Sequence, residues 1–409
     1  MSLEKKIRIL HVVGGSLNGG AAKGAINLHN ALIEKGASSF FINNYENGNI
    51  DNLIRIGSSK LKAWFFNHID KIPIYFYFRR KKTIFSPGIF GENILPIVKK
   101  LKIDVLHLHW INTGFINIAD LNQLGIPIVW TMRDAWTFTG GCHMPMNCTK
   151  FTNQCSKCEQ LVSKYEHDLS YFMQKSKKEI ITKNPNITFV AISPFLQSEA
   201  KKSYVLNDYK IEMIENNVDI NQFKLSTKAS ARDKLEIMQD KCIILIANDS
   251  GETWKGYEFL YKLVDDISIK NVEFISFGSG KPCHKGKNFG FVNDTDDLAL
   301  IYSAADVFIF PSTYEPFGKA LFEAAACGNS IVSFENTGSA DFYDNEVWWH
   351  LAEYGNYQSL LDKTLIACNQ KKKVSSIDQR KAILSKFGQE KIALKYLELY
   401  KKNLDRNNV

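Results

Sequence analysis

The sequence predicts an α/β protein made of two doubly wound, Rossmann-like domains. The chain has 409 residues, which exceeds what one hydrophobic core usually serves. Its composition, 45% hydrophobic and 23% charged, is ordinary for a globular protein. Apolar, strand-like runs alternate with amphipathic helical stretches along nearly the whole chain. This alternation is typical of parallel sheets, which bind ligands in the loops that follow the strands.

The predicted strands fall into two series. The first series comprises residues 7–13, 39–43, 105–110, 128–132 and 188–193, and the second comprises residues 243–247, 272–277, 307–310 and 330–334. We place the domain boundary near residue 216, where a strand-like run at residues 210–215 ends, so that residues 1–215 form one domain and residues 216–388 form the other. The last helical segment carries an apolar stripe that needs a partner surface, and we expect residues 389–409 to pack back on the N-terminal domain.

Targeting signals are absent from the sequence. No apolar run approaches the roughly 20 residues that span a bilayer, and the N-terminus lacks the apolar region of a signal peptide. We therefore expect a cytoplasmic protein. We also expect no nucleic-acid partner. The formal charge is +8, with a basic run at Arg79-Arg80-Lys81-Lys82. Such a run is usually a solvated face, and the other interpretations are attraction to the inner face of an anionic membrane or to the diphosphate of a lipid-linked acceptor.

Aromatic residues at 63–66 and 72–78 precede this basic run. Bulky rings beside cations are typical of an interfacial surface. A buried helical hairpin under the first domain explains the same residues equally well. The sequence leaves both interpretations open.

A glycine-rich loop at residues 14–20 follows the first predicted strand and opens a helix. Gly15 and Gly20 let the backbone approach a ligand, and the helix N-terminus favours an anion such as a phosphate. The spacing is not G-x-G-x-x-G, and no acidic residue ends the second strand, which argues against a dinucleotide site. A tight structural turn is an equally good explanation of the loop.

A sharper pattern lies at residues 311–324, directly after a predicted strand. Pro316 restricts Glu315 to an extended conformation, so the next helix should begin near Phe317, with free backbone N–H groups at its tip. Glu323 then lies nearly two turns into the helix. Two carboxylates placed in this way can accept hydrogen bonds from two hydroxyl-bearing parts of one ligand.

The stretch from Gly290 to Asp341 closely resembles the donor-site region of the retaining glycosyltransferases of family 4, which have the GT-B fold. Residues 214–219 with Phe223 resemble the family's N-G-V-D…F signature, with Asn217 in place of the glycine. Residues 253–256 are similar to its K-G step, and the glycine-rich first loop is similar to its loop at the domain cleft. The resemblance implies that the N-terminal domain binds the acceptor and the C-terminal domain binds the donor across a cleft.

The resemblance also implies roles for individual residues. Glu323 would bind the nucleotide ribose, Glu315 would grip the transferred sugar, and Lys255 would neutralise the diphosphate without a catalytic metal ion. The implied donor is a UDP- or GDP-sugar, and the implied acceptor is a glycan or a lipid-linked oligosaccharide in surface polysaccharide biosynthesis. The full donor-binding set is Glu323, Phe317, Gly318, Lys319, Gly278, Gly15 and Gly20.

The chain departs from the family pattern in two places. Ser250 stands where members often carry an arginine, and Arg133 stands where a histidine is frequent. Arginine cannot act as a base at neutral pH, so we expect Arg133 to contact a phosphate or carboxylate on the acceptor side together with Asp134. An ion pair of Arg133 with Asp134 or another acid is the structural alternative. His109, near a strand's carboxyl end, would orient a substrate hydroxyl, although a hydrogen-bonded core histidine is the commoner case.

Four cysteines cluster after this acceptor-side segment, at Cys142, Cys148, Cys155 and Cys158. Four thiolates within 17 positions suit a tetrahedral structural zinc, with His143 as a substitute ligand. One or two disulfides are the alternative, although a cytosolic setting argues against them. Either linkage would stiffen a loop over the acceptor side and would not catalyse.

Two other functions compete with a glycosyltransferase. A non-hydrolysing nucleotide-sugar epimerase of related fold breaks the same bond without an acceptor. A non-catalytic nucleotide-sugar-binding protein is the second rival, and the departures at Ser250 and Arg133 motivate it. The intact donor motif favours the transferase.

Overall fold

The computed structural model describes residues 6–43, 50–55, 60–219, 223, 225–248, 252–267, 271–281, 284–370 and 374–407. Ser250 lies outside these residues. The chain divides into two compact units. Unit 1 contains Met1–Asn217 together with Gln389–Val409, and unit 2 contains Val218–Gly388.

Unit 1 is built on a seven-stranded parallel sheet with the order β3-β2-β1-β4-β5-β6-β7. Its strands are β1 (Arg8–Val12), β2 (Ser38–Asn43), β3 (Leu53–Arg55), β4 (Val105–Leu108), β5 (Ile128–Met132), β6 (Ile187–Ala191) and β7 (Ile211–Met213). The helices that precede unit 2 in the chain are α1 (Gly20–Glu34), α2 (Lys60–Tyr75), α3 (Leu95–Lys100), α4 (Leu169–Thr182) and α5 (Pro194–Lys202).

Unit 2 is built on a six-stranded parallel sheet with the order β10-β9-β8-β11-β12-β13. Its strands are β8 (Cys242–Ala247), β9 (Val272–Phe277), β10 (Lys287–Asn288), β11 (Val307–Phe310), β12 (Ser330–Phe334) and β13 (Trp349–Ala352). Its helices are α6 (Lys228–Lys234), α7 (Tyr257–Asp266), α8 (Thr295–Ala304), α9 (Lys319–Ala326), α10 (Tyr357–Asn369) and α11 (Ser376–Phe387).

The last helix, α12 (Gln389–Asn407), returns the chain to unit 1. It packs on the core around β1, β4 and β5 through a buried stripe of Ile392, Ala393, Tyr396, Leu399 and Tyr400. Two of these side chains also hydrogen-bond to the sheet. The Tyr400 hydroxyl lies 2.6 Å from Nδ1 of His107, and the Tyr396 hydroxyl lies 2.8 Å from Oγ1 of Thr131.

Most predicted strands lie where the sequence placed them, and the differences occur at their ends. The strand predicted at 188–193 ends at Ala191, because the Ser193 side chain caps α5 by accepting a hydrogen bond from the Leu196 N–H. The strand predicted at 105–110 ends at Leu108. Three short edge strands, β3, β10 and β13, were not predicted. Within the described ranges, no helix is long and apolar enough to cross a bilayer.

Candidate active site

The strand order of unit 2 reverses between β8 and β11, and ligands bind beside the carboxyl ends of strands at such a point. Lys255 follows β8 and Glu315 follows β11. The two loops are linked by a hydrogen bond from the Thr313 N–H to the Trp254 carbonyl, at 2.7 Å. The fold therefore brings together two residues that are 60 positions apart.

Gly256 allows this close approach of the two loops. It has a φ of 71°, and a Cβ at this position would lie 2.0 Å from the carbonyl oxygen of Pro311. Both the left-handed backbone and the missing space exclude any larger side chain. The K-G step is therefore required by packing, and it fixes Lys255 beside the loop that follows β11.

Lys255 and Glu315 form an ion pair in which Nζ lies 3.0 Å from Oε2. The other carboxylate oxygen, Oε1, accepts a hydrogen bond from the Gly318 N–H at 3.0 Å and faces the Phe317 N–H at 3.5 Å. A cation and the amides that precede α9 thus converge on one carboxylate. This convergence is what an anion-binding position requires.

The start of α9 differs from the sequence prediction. The helix begins at Lys319, and Gly318 precedes it in the left-handed conformation, with a φ of 85°. The Phe317 side chain is buried in a cluster of phenylalanine rings. The N–H groups of Phe317 and Gly318, which we expected to be free, already face Glu315, so a ligand has to displace this carboxylate to reach them.

Glu323 is the second carboxylate of the pattern, and it is buried one turn after Lys319 on α9. The Lys319 ammonium lies 3.5 Å from its Oε1. Glu323 also lies near Tyr302. The pKa of the tyrosine hydroxyl is raised well above its usual value, first by burial and then by the charge of Glu323. Glu323 therefore places a buried carboxylate next to Lys319 on the first turns of α9.

The three glycines predicted to bind the donor have different structural roles. Gly278 has a φ of 126°, and a Cβ there would lie 1.7 Å from the Asn248 carbonyl oxygen. Gly15, with a φ of 78°, lies against the Trp110 ring. Gly20 begins α1 in open space, with nothing within 4 Å of a Cβ. Packing explains Gly278 and backbone conformation explains Gly15, whereas neither explains Gly20.

Arg133 and His109 lie together in unit 1. The guanidinium donates to Nδ1 of His109 at 3.0 Å and to Oδ1 of Asn216 at 2.7 Å. Since Nδ1 of His109 accepts, its Nε2 carries the proton and donates to Nδ1 of His11, 3.0 Å away. Both ring nitrogens of His109 therefore have partners, so a role toward a substrate hydroxyl would require one of these bonds to break.

Asp134 does not form the ion pair with Arg133 that we considered from the sequence. Its carboxylate accepts hydrogen bonds from Nδ1 of His143 at 2.7 Å, from the Trp136 N–H at 2.9 Å and from Nε1 of Trp110 at 3.1 Å. Within the described part of the chain, Arg133 makes no ion pair with any acid. The neutral groups His109 and Asn216 hold its guanidinium instead, and burial lowers its pKa.

Sequence reasoning missed His11. It pairs in register with His107 across β1 and β4, and ligand atoms of His11, His107 and His109 lie within 4.8 Å of one another. Burial, more than the neighbouring charges, lowers the pKa of all three well below the usual value. We do not assign a metal to this cluster, because the Arg133 guanidinium donates directly to His109 and would repel a cation.

The four clustered cysteines all line one cavity of unit 1. They are free thiols, and burial raises the pKa of Cys142 and Cys155, the latter to about 12. Among the described residues, the histidine cluster is the one set of three ligand atoms within 4.8 Å, so no three of the cysteine sulfurs lie this close together and a shared ion would require their side chains to move inward. His143 is not free to replace a cysteine, because its nitrogens face Asp134 and Ser86.

Two family models match the chain. The model described as Glycosyltransferase Family 4 matches residues 18–222, about half of the chain, and the model described as Glycosyl transferases group 1 matches residues 240–369. The chain belongs to the family 4 glycosyltransferases. As a member of this family it is an enzyme that transfers a glycosyl group, and the resemblance inferred from the sequence is confirmed.

The names of two relatives of this family 4 glycosyltransferase refer to the synthesis of a glycan and of a glycolipid. It is 22% identical over 337 residues to the putative colanic acid biosynthesis glycosyl transferase WcaC of Escherichia coli, which covers 77% of this chain and 80% of the relative. It is 25% identical over 287 residues to the alpha-monoglucosyldiacylglycerol synthase of Acholeplasma laidlawii, covering 64% and 66% of the two chains.

Solved structures confirm the GT-B fold. The sucrose-phosphate synthase of Thermosynechococcus elongatus superposes with a TM-score of 0.69 at 18% identity, covering 97% of this chain and 99% of the other. The Anabaena protein HepE, in complex with UDP and glucose, gives a TM-score of 0.64 at 14% identity with the same coverage. At these identities the likeness concerns the fold alone.

Proposed function

We propose that this glycosyltransferase moves a hexose-type sugar, with retention of configuration, from a nucleoside diphosphate sugar to a glycan or lipid-linked acceptor. The convergence of Lys255 and the amides before α9 on the Glu315 carboxylate carries this proposal. A position that holds one carboxylate between a cation and two N–H groups also suits a phosphate. The UDP and glucose in the HepE structure and the glycan-related names of the relatives are consistent with it.

In this proposal the ligand-free protein satisfies its anion site internally. The donor diphosphate takes over the contacts of Glu315 with Lys255 and Gly318, and the freed carboxylate accepts hydrogen bonds from the sugar hydroxyls. Glu323 accepts hydrogen bonds from the ribose hydroxyls, as the family resemblance implies. Lys319 pairs with Glu323, so it orients this carboxylate.

The chemical step that we propose is a front-face substitution. The bond between the anomeric carbon and the diphosphate oxygen breaks, and the acceptor oxygen bonds to the same face of that carbon. The acceptor proton passes to the departing phosphate oxygen, so no dedicated protein base is needed. Lys255 and the Gly318 N–H stabilise the negative charge that develops on the leaving group. Arg133, which forms no ion pair with an acid of the described residues, would contact an anionic group of the acceptor.

A panel of nucleoside diphosphates tests the donor assignment. We expect UDP or GDP to raise the melting temperature, because a ligand at 100 times its Kd stabilises a protein by about 2.7 kcal/mol. The matching nucleotide sugar should yield glycosylated acceptor and free nucleoside diphosphate in equal amounts, with the anomeric configuration retained by NMR. Turnover without any acceptor would favour the epimerase, and binding without turnover would favour the non-catalytic rival.

We also propose that α2 contacts an anionic membrane. The apolar residues Leu61, Trp64, Phe65, Ile72 and Tyr75 are all exposed, and their spacing places them on one face of the helix. Phe76 and Phe78 continue this surface, with 74% and 90% exposure. A helical hairpin under the sheet would bury these side chains, whereas they are exposed. The four exposed cations of the run Arg79-Arg80-Lys81-Lys82 follow directly and complement an anionic surface.

Vesicle sedimentation tests this surface. We expect the protein to bind phosphatidylcholine vesicles that contain phosphatidylglycerol, and to bind them less in high salt. The double change Trp64→Ser and Phe65→Ser should weaken the partition at least about tenfold, since burying one aromatic side chain contributes about 1.5–3 kcal/mol. Tyr165→Ser, at a similarly exposed ring elsewhere in unit 1, is the control. Equal binding by the variant, or self-association in place of vesicle binding, would contradict the proposal.

A further inference from the structure

The segment between β5 and α4 contains all four clustered cysteines, and its backbone is fixed by buried side chains. The Cys155 N–H donates to Oε1 of Gln174 at 2.6 Å, and the Cys158 N–H donates to Oδ2 of Asp168 at 2.7 Å. The Cys142 carbonyl accepts from Oγ1 of Thr139. Three of the four cysteines are thus positioned by hydrogen bonds that do not involve their sulfur atoms.

Side-chain hydrogen bonds hold this segment against α4. Gln174 is fully buried, and its amide nitrogen donates to the Phe151 carbonyl at 2.9 Å and to the Phe138 carbonyl at 3.2 Å. Asp168 caps α4 and also accepts from the Ser170 hydroxyl. A loop with so many buried polar contacts has a defined backbone, so the convergence of its thiols on one cavity is a property of the fold.

Lys177, on α4, is a buried lysine near these thiols. It is 2% exposed. Its Nζ donates a hydrogen bond to the Trp136 carbonyl and lies 3.9 Å from the centre of the Trp136 ring. Burial lowers the pKa of the Lys177 ammonium to about 7, and the nearby Cys142, Cys155 and Asp134 oppose this shift. Within the described ranges, Lys177 forms no ion pair with a carboxylate. An anionic centre beside this buried side chain would stabilise its ammonium form.

We propose that Cys142, Cys148, Cys155 and Cys158 bind one structural Zn²⁺, with Lys177 as the buried counter-charge of the centre. Four thiolates around Zn²⁺ carry a net charge of minus two, which is the anion that Lys177 needs. Zinc at the middle of the cavity would draw the sulfurs to about 2.3 Å from the ion and release their protons. Two disulfides would instead leave four neutral sulfurs and supply no anion to Lys177.

This site is separate from the proposed glycosyl transfer. The cysteine segment begins beside the Asp134 side chain, which accepts from His143, the neighbour of Cys142. Zinc would therefore fix the segment that holds Asp134 and Trp110 in place. Its loss should reduce the stability of unit 1 and leave the donor-binding residues of unit 2 unaltered.

Metal analysis of the purified full-length protein tests the proposal. Protein prepared under reducing conditions without chelator should hold about 1 Zn per chain. Cys158→Ser should lose most of this zinc, and Cys368→Ser, in α10 of unit 2, should keep it. Replacement of zinc by cobalt should produce the visible absorption bands of a tetrahedral thiolate complex. Lys177→Met should release zinc to a competing chelator at least tenfold faster than Lys177→Arg does.

Thiol counting separates zinc from disulfides if the variants fail to fold. Alkylation of the unreduced wild-type protein in denaturant with chelator should modify all four cysteines, as seen by peptide mass spectrometry. A disulfide between any two of them would overturn the proposal, as would wild-type protein with less than about 0.2 metal ions per chain. Iron in place of zinc at this ratio would overturn the choice of metal. Binding of nucleoside diphosphates, measured in parallel, tests the proposed function independently.

Discussion

Replacing Lys255 by alanine is expected to lower kcat by about 10²–10³-fold at saturating donor. The ammonium lies 3.0 Å from the Glu315 carboxylate, at the position that we assign to the leaving diphosphate. A preorganised charge of this kind acts mainly on the transition state, where negative charge develops, so kcat should fall more than the affinity for the donor. Steady-state kinetics with the identified nucleotide sugar measure both quantities.

Lys262→Ala is the matched control for this experiment. Lys262 belongs to the neighbouring helix α7, is exposed, and lies 4.0 Å from the centre of the Tyr357 ring. It carries the same charge as Lys255 but faces no candidate ligand residue. Lys255→Ala with kcat within twofold of wild type, at an unchanged melting temperature, would remove Lys255 from the mechanism.

Tyr396→Ala is expected to destabilise unit 1 by about 3–5 kcal/mol, the usual range for truncating a buried aromatic residue. Tyr396 is 2% exposed, its ring centre lies 5.0 Å from that of His107, and its hydroxyl bonds to Thr131. The change leaves a cavity between α12 and the sheet. Denaturant unfolding followed by circular dichroism measures the loss of free energy.

Leu394→Ala on the same helix provides the comparison. Leu394 is 46% exposed, so its truncation should change the free energy of unfolding by no more than about 0.5 kcal/mol. If Tyr396→Ala were as mild as Leu394→Ala, α12 would not be part of the unit 1 core. A large loss for both variants would show that the packing of α12 extends beyond the buried stripe.

The central strands of both sheets could be predicted because strands buried on both faces consist of unbroken apolar runs. β11 is an example, since all four of its residues are buried. Edge strands such as β3 and β10 are three and two residues long, too short for any period to be visible. Pattern analysis therefore succeeds where burial is continuous and fails at the sheet edges.

The sequence predicted those residues of the candidate site that belong to a local motif, and it missed the contacts between distant segments. The motif around Glu315 and Glu323 is local in sequence, so it could be recognised. The capping of Gly318 by Glu315 depends on Lys255, 60 positions earlier, which holds the same carboxylate. His11 carries no local signal either, because only the pairing of β1 with β4 brings it beside His107. Contacts made by the tertiary fold are invisible to motif analysis.

The return of α12 to unit 1 has a consequence for biosynthesis. A ribosome makes the chain from its N-terminus, so every strand of the first sheet emerges before the helix that covers part of it, while unit 2 is synthesised in between. The apolar surface around Val105, Val129 and Val190 must wait for Tyr396 and Tyr400, the last buried aromatics to be translated. Unit 2 can reach its native state on the nascent chain before α12 is made, whereas unit 1 completes its core only after α12 has emerged.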